Sequence, residues 1–364
     1  MSIRDHPLRV LHLAAGNRWT GAAAPAFAET EALRMAGVDA HYVYVGGYKL
    51  ESKIGHLGFT RPAIDKAQNP ASFLRSQKAI RRMIAEHQFS IVHSHLTYDH
   101  WLAGMAASGG KTRLARTFHA RRVLRTDPAT RLLMRRTDGV FIINDDFRDA
   151  RVLAGRAPVF TPPPLDTGQF SREGSNAREL YGIPAEAPLF LMIGKLSAAR
   201  GFEEGLRTFA LIREQIQSAR LMIIGHGEHR PHLELLAADL GITPLVTWAG
   251  YHEEDLAQHY RAADAFLFTA RGSDEGHRAI LEAMSCGLVP LVFPIEGTRA
   301  LLGELATQLI APRPTPESLA SVATEIVPRR LPPLRDAAWS LSREFDYRHA
   351  ARRLIDAYEA MLDR

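Results

Sequence analysis

The sequence contains very little cysteine, since Cys286 is the only one among 364 residues. A single cysteine excludes a disulfide within the chain and suits a reducing compartment. Cys286 stands beside Gly287 at the end of an apolar segment. We therefore expect a small buried residue at this position and not a nucleophile.

Long apolar runs are also absent. No run reaches membrane-spanning length, and no basic and apolar signal region precedes the first predicted strand. We therefore expect a cytoplasmic protein. The chain shows no internal repeat or low-complexity tract, and its 46% hydrophobic and 23% charged content is globular. Its length is sufficient for two domains with a substantial core.

Positive charge is concentrated in the first half. Residues 1–170 contain 24 Lys and Arg against 14 Asp and Glu, and the densest part lies between Lys111 and Arg136. This surplus favours an anionic partner, such as a membrane surface or a phosphate-bearing substrate, although a solvated basic face explains it equally well. A basic helix predicted over 69–87 is expected to pack on a sheet, with interfacial membrane attachment as the alternative. We expect no nucleic-acid partner.

The order of predicted elements indicates an α/β array in each half of the chain. Strands are predicted over residues 8–14, 41–45, 91–95, 116–119 and 140–144, and then over 190–194, 220–224, 246–250 and 265–268. The strand over 140–144 is predicted to be the last of the first domain. The proline-rich stretch from Thr161 to Phe170 predicts the domain boundary, because it is stiff and turn-forming.

Two histidines on one predicted strand raise the question of a metal site. His93 and His95 alternate on this strand, so their side chains point to the same face. A zinc site needs a third and usually a fourth ligand, and none is evident at a suitable spacing. We therefore predict no metal site.

The most informative stretch runs from Asp274 to Pro290 and reads as a loop followed by a helix after a short strand. This arrangement points a helix N-terminus out of the carboxyl edge of a sheet, where unpaired N–H groups and the helix dipole favour anions. Asp274 and Glu282 are eight positions apart, so they would approach a ligand from two directions. Taken alone, each acid is explained as well by a helix cap or a solvated helix residue.

This stretch resembles the signature of retaining GT-B glycosyltransferases of family 4. Members typically show Glu-Gly-Phe-Gly, four residues, and then Glu-Ala-Met-Ala-x-Gly-x-Pro-Val; this chain reads DEGHRAILEAMSCGLVP. Asp274 stands at the position of the first Glu, and His277 at that of the second Gly. Asp274 is one methylene shorter than Glu, which leaves open a different sugar or a loss of transfer activity.

The resemblance extends to other segments. Lys195 and Arg200 stand, with the two residue types exchanged, where the family has the Arg and Lys that hold the donor diphosphate. Gly21 fits a loop that usually carries Gly-Gly, and His119 ends a Thr-x-His that commonly lies near the donor sugar. Tyr251 follows a strand-ending glycine and is a candidate to pack against the nucleotide base.

The resemblance implies the GT-B fold, with two doubly wound, Rossmann-like α/β domains facing a central cleft. It implies an N-terminal acceptor-side domain over 1–165, a nucleotide-sugar-binding domain over 171–345, and a C-terminal helix over 346–364 that crosses back to the first domain. The implied catalytic residues are Asp274 and His119. The implied donor-binding residues are Gly21, Lys195, Arg200, Tyr251, Gly276, His277, Arg278, Ala279 and Glu282.

The implied reaction moves a sugar from a UDP-sugar or GDP-sugar to a hydroxyl of a glycan, lipid-linked or small-molecule acceptor, with retention. The chain contains no Asp-x-Asp sequence, which agrees with a metal-independent reaction without a cofactor. A role in cell-surface polysaccharide, lipopolysaccharide or glycoconjugate biosynthesis at the inner membrane face would fit. The alternatives are a non-catalytic nucleotide-sugar-binding subunit and a GT-B epimerase.

Overall fold

The computed structural model describes residues 7–16, 19, 21–66, 69–270 and 276–363. The chain divides into two compact units, of which the first comprises Met1–Pro164 and Tyr347–Arg364 and the second Leu165–Asp346. Each unit is built on a parallel sheet. None of the helices that the structure describes combines the length and apolar character needed to cross a bilayer.

The first unit contains a parallel sheet in the order β3-β2-β1-β4-β5-β6-β7. Its strands are β1 (Arg9–Ala14), β2 (Asp39–Val45), β3 (Thr60–Ile64), β4 (Ile91–Ser94), β5 (Arg113–Phe118), β6 (Gly139–Ile142) and β7 (Val159–Phe160). Its helices before the boundary are α1 (Ala23–Met35), α2 (Lys49–Ile54), α3 (Pro70–His87), α4 (Thr97–Ala106) and α5 (Pro128–Arg135).

The second unit contains a parallel sheet in the order β10-β9-β8-β11-β12. Its strands are β8 (Leu189–Ile193), β9 (Arg220–Ile224), β10 (Val246–Gly250), β11 (Ala265–Phe268) and β12 (Val289–Val292). The helices that follow are α6 (Phe202–Gln215), α7 (Arg230–Asp239), α8 (Leu256–Ala262), α9 (Gly276–Ser285), α10 (Thr298–Leu302), α11 (Ala306–Leu309), α12 (Pro316–Arg329) and α13 (Leu331–Ser342). The last helix, α14 (Tyr347–Leu362), belongs to the first unit.

The edges of the first sheet differ from the sequence-based prediction. The strand over 140–144 was expected to be the last of its domain, but the two-residue strand β7 follows and pairs with β6. The sequence analysis also missed β3, which contains Pro62. Short edge strands bury little apolar surface and tolerate proline, so they leave a weak periodic signal.

Helix α14 completes the core of the first unit. Its Ala350 and Ala351 pack against Ala32 of α1, and Leu354 and Tyr358 join a buried cluster on the sheet. Helix α3 begins after an Asn69 cap, and its Ile80 is buried in another core cluster of the same unit. The helices therefore cover the sheet through their apolar faces.

Candidate functional site

The carboxyl ends of β8, β9, β10 and β11 meet at one edge of the second sheet, because all strand pairs in this sheet are parallel. In open α/β sheets ligands bind at this edge. Most of the donor-binding residues named from the sequence stand in loops or helix starts that leave this edge. The loops are held together by glycines.

Two loops touch through their backbones after β8 and β9. A Cβ added to Gly225 would lie 1.8 Å from the carbonyl oxygen of Gly194, and one added to Gly227 would lie 2.0 Å from that of Leu196. The Leu196 N–H donates to the carbonyl of His226 at 3.0 Å. Glycine is therefore required at both positions for this close approach.

A second close contact joins the loop after β8 to the end of β11. Gly201 has φ +71, and a Cβ there would lie 2.1 Å from the carbonyl oxygen of Thr269. The Thr269 hydroxyl donates to the Gly201 carbonyl at 2.6 Å. Arg200 precedes this contact directly, and Lys195 lies at the other end of the same loop. Lys195 is largely exposed, with its Nζ 3.6 Å from a carboxylate oxygen of Glu228.

Helix α9 begins against the end of β11. A Cβ on Gly276 would fall 1.8 Å from the Phe268 ring, so only glycine lets the helix start this close to the strand. His277 is buried, and its Nε2–H donates to the carbonyl of Glu296 at 2.9 Å. This bond gives His277 a positioning role at the helix start. Ala279 completes the first turn and is partly buried.

Glu282 is buried, with only 5% of its surface exposed. Its Oε1 accepts from Nε of Arg278 at 2.7 Å, and its Oε2 accepts from the Tyr260 hydroxyl at 3.0 Å. Burial raises the pKa of the Glu282 carboxyl above its ordinary value of 4.5, against the opposing effect of Arg278. The interpretation of Glu282 as a solvated helix residue is therefore wrong. A carboxylate with two occupied oxygens still has lone pairs for a further donor.

Tyr251 presents an exposed aromatic ring after β10. Its side chain is 60% exposed and follows Gly250, which has φ +84. The ring meets His226 edge to face at a centroid distance of 5.1 Å, and its hydroxyl donates to Glu253 at 3.0 Å. Tyr251 thus offers a free ring face near the loops that carry the two cations.

Two other predicted site residues stand apart from this group. Asp274 lies outside the described residues, so its position carries no argument here. Gly21 belongs to the first unit, where it lies partly exposed in the turn that leads into α1.

His119 lies directly after β5 in the first unit and is 8% exposed. Its Nε2 is 3.0 Å from Nδ1 of His95, whereas its Nδ1 has no hydrogen-bond partner among the described residues. Burial, with a smaller effect of the nearby Arg116, lowers the pKa of His119 to about 3. His119 is therefore neutral at physiological pH, and its Nδ1 is a buried nitrogen without a partner among the described residues.

Arg116 is an exception within the basic segment from Lys111 to Arg136. It belongs to the stretch that the sequence analysis describes as an anion-binding or solvated basic surface, yet it is buried, with Nη1 3.6 Å from Asp99 Oδ1. The Asp99 carboxylate also accepts from the backbone N–H groups of Ala15 and Leu96, each at 2.8 Å. Burial lowers the pKa of Arg116 to about 10, so Arg116 stays charged. It lies beside the Asp99 carboxyl group, which accepts hydrogen bonds at the ends of β1 and β4.

The buried histidines also differ from expectation. The sequence analysis rejected a metal site at His93 and His95 for want of further ligands, but the fold brings His12 from β1 and Glu29 from α1 to the same place. The four ligand atoms lie within 4.8 Å of one another. Two further groups of potential ligands are present among the described residues of the second unit, and both are less buried. They are Glu203, His229 and His232, and His252, Asp255 and His259.

Two family models match the chain. The model described as glycosyltransferase family 4 matches residues 19–152, and the model described as glycosyl transferases group 1 matches residues 175–337. HepE of Anabaena, solved in complex with UDP, superposes with a TM-score of 0.79 at 14% identity and covers 97% of this chain and 100% of its own. The chain belongs to the family 4 type of GT-B glycosyltransferases.

Two sequence relatives of this chain have names that state an activity. The GDP-mannose-dependent alpha-(1-6)-phosphatidylinositol monomannoside mannosyltransferase of Mycolicibacterium smegmatis is 28% identical over 240 residues, which are 58% of this chain and 60% of the relative. The D-inositol 3-phosphate glycosyltransferase of Geodermatophilus obscurus is 24% identical over 306 residues, which are 73% of this chain and 66% of the relative. The chain thus spans somewhat less than two thirds of these relatives' length.

Several residues of this chain that shape the candidate sites were not found from the sequence. Tyr260 holds Glu282, and Asp99 holds the strand ends next to His119. Both contacts join residues that are distant in the chain and belong to no short motif. An aromatic residue in a helix and an acid in a first helical turn are too common to be singled out without the fold.

Proposed function

We propose that the chain transfers a sugar from a nucleoside diphosphate sugar to a hydroxyl acceptor, with retention at the anomeric carbon and without a metal ion. The observation that carries the proposal is the contact of Gly201 with Thr269. This contact brings the loop of Lys195 and Arg200 beside the segment that leads to α9. Two cations and a helix N-terminus then share one edge of the sheet.

The departing diphosphate is the group that needs stabilisation in such a reaction. Fixed positive charge and backbone N–H donors that are already oriented lower the barrier, because they need no rearrangement as charge develops. The first turn of α9, from Gly276 to Ala279, supplies the N–H groups and the positive end of a helix dipole. Lys195 and Arg200 supply charge, and Arg adds a planar fork that can grip two phosphate oxygens.

The nucleoside is proposed to bind through Glu282 and Tyr251. The Glu282 carboxylate is fixed by Arg278 and Tyr260 and keeps lone pairs that can accept from the ribose hydroxyls. Tyr251 provides an exposed ring on which a base can stack. Neither interaction distinguishes uracil from guanine, so both UDP-sugars and GDP-sugars stay in the proposal.

Asp274 of the second unit is proposed to contact the sugar. Asp274 would orient it and support the positive charge that develops at the anomeric carbon. His119 and Gly21 of the first unit stay predictions from the family resemblance.

We propose a phosphorylated or lipid-linked acceptor, in the biosynthesis of a cell-surface polysaccharide, lipopolysaccharide or other glycoconjugate. One relative named above acts on a phosphatidylinositol monomannoside and the other on D-inositol 3-phosphate, and both names include a phosphate. The positive surplus of residues 1–170 supports the same proposal and peripheral binding to an anionic inner membrane face. Retention on anionic liposomes at low salt tests the membrane part, and failure to bind would contradict it.

The experiment for the proposed function is a thermal-shift panel of UDP-sugars and GDP-sugars, followed by NMR of the transfer product. A ligand of the folded state raises the melting temperature by mass action. One donor class should stabilise the wild type, and Glu282→Ala should remove the shift. Transfer with an α-configured product from an α-configured donor is expected, with Asp274→Ala inactive. Donor binding without any transfer would favour the non-catalytic subunit, and release of an epimerised sugar without acceptor would favour the epimerase.

A further inference from the structure

A group of ionisable side chains is enclosed in the first unit. His12 lies on β1, Glu29 on α1, His93 on β4, and His95 just after β4. All four are buried, with exposures of 1% or less. The parallel pairing of β1 with β4 sets His12 directly opposite His93, so the group follows from the strand register.

Glu29 is the unexplained member of this group. Neither of its carboxylate oxygens has a hydrogen-bond partner among the described residues, although the side chain is 1% exposed. A buried carboxylate without a partner is strongly destabilising unless a cation or a proton compensates it. Nδ1 of His12 and Nε2 of His95 each lie 3.8 Å from Glu29 Oε2.

These three atoms form a compact triangle. His12 Nδ1 and His95 Nε2 share a hydrogen bond of 2.9 Å, which a bound ion would replace. The other two sides are the 3.8 Å distances to Glu29 Oε2. In a tetrahedral zinc site with metal–ligand bonds of 2.0 to 2.1 Å, neighbouring ligand atoms are about 3.3 Å apart. The observed triangle brackets this value, so an ion at its centre requires shifts of only a few tenths of an ångström.

His12 and His95 each have one further ring nitrogen outside this triangle, and these two outer nitrogens already have partners. His95 Nδ1 lies 3.0 Å from His119 Nε2, and His12 Nε2 lies 3.4 Å from the Tyr358 hydroxyl. If each outer nitrogen donates its proton to that partner, the two inner nitrogens present lone pairs to the same point. Hydrogen bonds of this kind fix the tautomer and the ring orientation of histidine ligands.

His93 has a supporting position. Its two ring nitrogens are bonded to the Tyr358 hydroxyl at 2.6 Å and to the Thr117 hydroxyl at 2.7 Å. It therefore holds the tyrosine that orients His12.

We propose that His12, His95 and both carboxylate oxygens of Glu29, neither of which has a hydrogen-bond partner among the described residues, bind a structural Zn²⁺ ion in the core of the first unit. The ion compensates the buried carboxylate and ties β1, α1 and the end of β4 together. Its ligands belong to the first unit, whereas Lys195, Arg200 and the start of α9 belong to the second, so this proposal does not rest on the proposed function. Metal-independent transfer and a structural zinc ion are compatible.

Metal analysis of the purified chain tests the proposal. The protein is produced with zinc in the medium, or refolded with Zn²⁺ alone, freed of loosely held metal by chelator-treated gel filtration, and measured by elemental mass spectrometry. About one Zn²⁺ per chain is expected. Glu29→Gln, which keeps the shape of the side chain, should lose most of this zinc.

A matched variant separates this site from the two less buried groups. Glu203→Gln combined with His252→Asn disrupts both other groups of potential ligands and should retain the zinc. A metal-free wild type after refolding with Zn²⁺ would overturn the proposal. So would zinc that persists in Glu29→Gln and disappears in the double variant.

A spectroscopic readout keeps the test valid if Glu29→Gln fails to fold. Wild-type protein refolded with Co²⁺ should show the visible absorption of a tetrahedral nitrogen and oxygen site. Refolding with a chelator should lower the melting temperature, and Zn²⁺ should restore it. Absence of the visible bands together with a melting temperature unaffected by the chelator would contradict the assignment.

Discussion

The Tyr358 hydroxyl lies 2.6 Å from Nδ1 of His93, although 265 residues separate the two in the chain. Both side chains are fully buried. The tyrosine comes from α14 and the histidine from β4, so this bond attaches the last helix to the middle of the first sheet. The end of the chain is thus part of the core of the first unit.

Replacing Tyr358 with Phe tests this attachment. The change removes a hydroxyl and leaves buried nitrogens of His93 and His12 without a partner. An unmet buried polar group costs about 1–3 kcal/mol. We expect the free energy of unfolding in urea to fall by about this amount.

Tyr98→Phe is the matched control for that variant. The Tyr98 hydroxyl is buried without a hydrogen-bond partner among the described residues, so its loss should leave stability unchanged or increase it. Equal losses of stability in both variants would show that the Tyr358–His93 bond contributes nothing specific.

Gly201→Ala should damage both stability and donor binding. The added methyl group would meet the Thr269 carbonyl, and the residue has φ +71. Overpacking of this kind costs about 1–3 kcal/mol. Chemical denaturation and nucleotide titration measure the two effects. Gly58→Ala, where nothing lies within 4 Å of the added methyl group, should behave like the wild type; normal nucleotide affinity in Gly201→Ala would contradict the close contact.

The pH dependence of stability should reveal the buried Glu282 carboxyl. Burial raises its pKa in the folded state above 4.5, so the folded protein holds this proton more tightly than the unfolded chain. The contribution of Glu282 to the free energy of unfolding therefore falls as pH rises from 4.5 through the folded-state pKa. Measured from pH 4 upward, the stability of Glu282→Gln relative to the wild type should increase with pH. A decrease over this range would mean that Arg278 outweighs burial.

Tyr251 should contribute to nucleotide affinity without contributing to stability. Its ring is exposed, and stacking of a base on an aromatic ring is worth about 1–3 kcal/mol. Tyr251→Ala should weaken UDP or GDP binding at least about fivefold in calorimetry. Tyr251→Phe retains the ring and should bind normally. An unchanged Kd for Tyr251→Ala would remove this residue from the site.

Much of the second unit could be predicted from the sequence. The strands over 220–224, 246–250 and 265–268 agree with β9, β10 and β11, because buried parallel strands are continuous apolar runs between glycine-rich turns. The positions of these turns also predicted which residues lie at the carboxyl edge of the second sheet. The edge strand β12, which contains Pro290, was not predicted.

The buried polar contacts of the first unit could not be predicted in this way. Arg116 follows the same pattern in the sequence as its exposed neighbours, and only the approach of Asp99 explains its burial. Glu29 and His12 meet His95 through tertiary packing alone. Periodicity reports which face of an element is buried, but not which polar groups meet there.

The measurement that tests the central claim most directly is calorimetric titration of UDP and GDP into the wild type and the Lys195→Met/Arg200→Met double variant. Arg207→Met/Arg213→Met is the control, because these two arginines are exposed on α6 of the same unit. We predict tight binding of one nucleotide, at least about tenfold weaker binding in the first variant, and normal binding in the control. Equal affinity in all three proteins would contradict a diphosphate site at this edge of the second sheet.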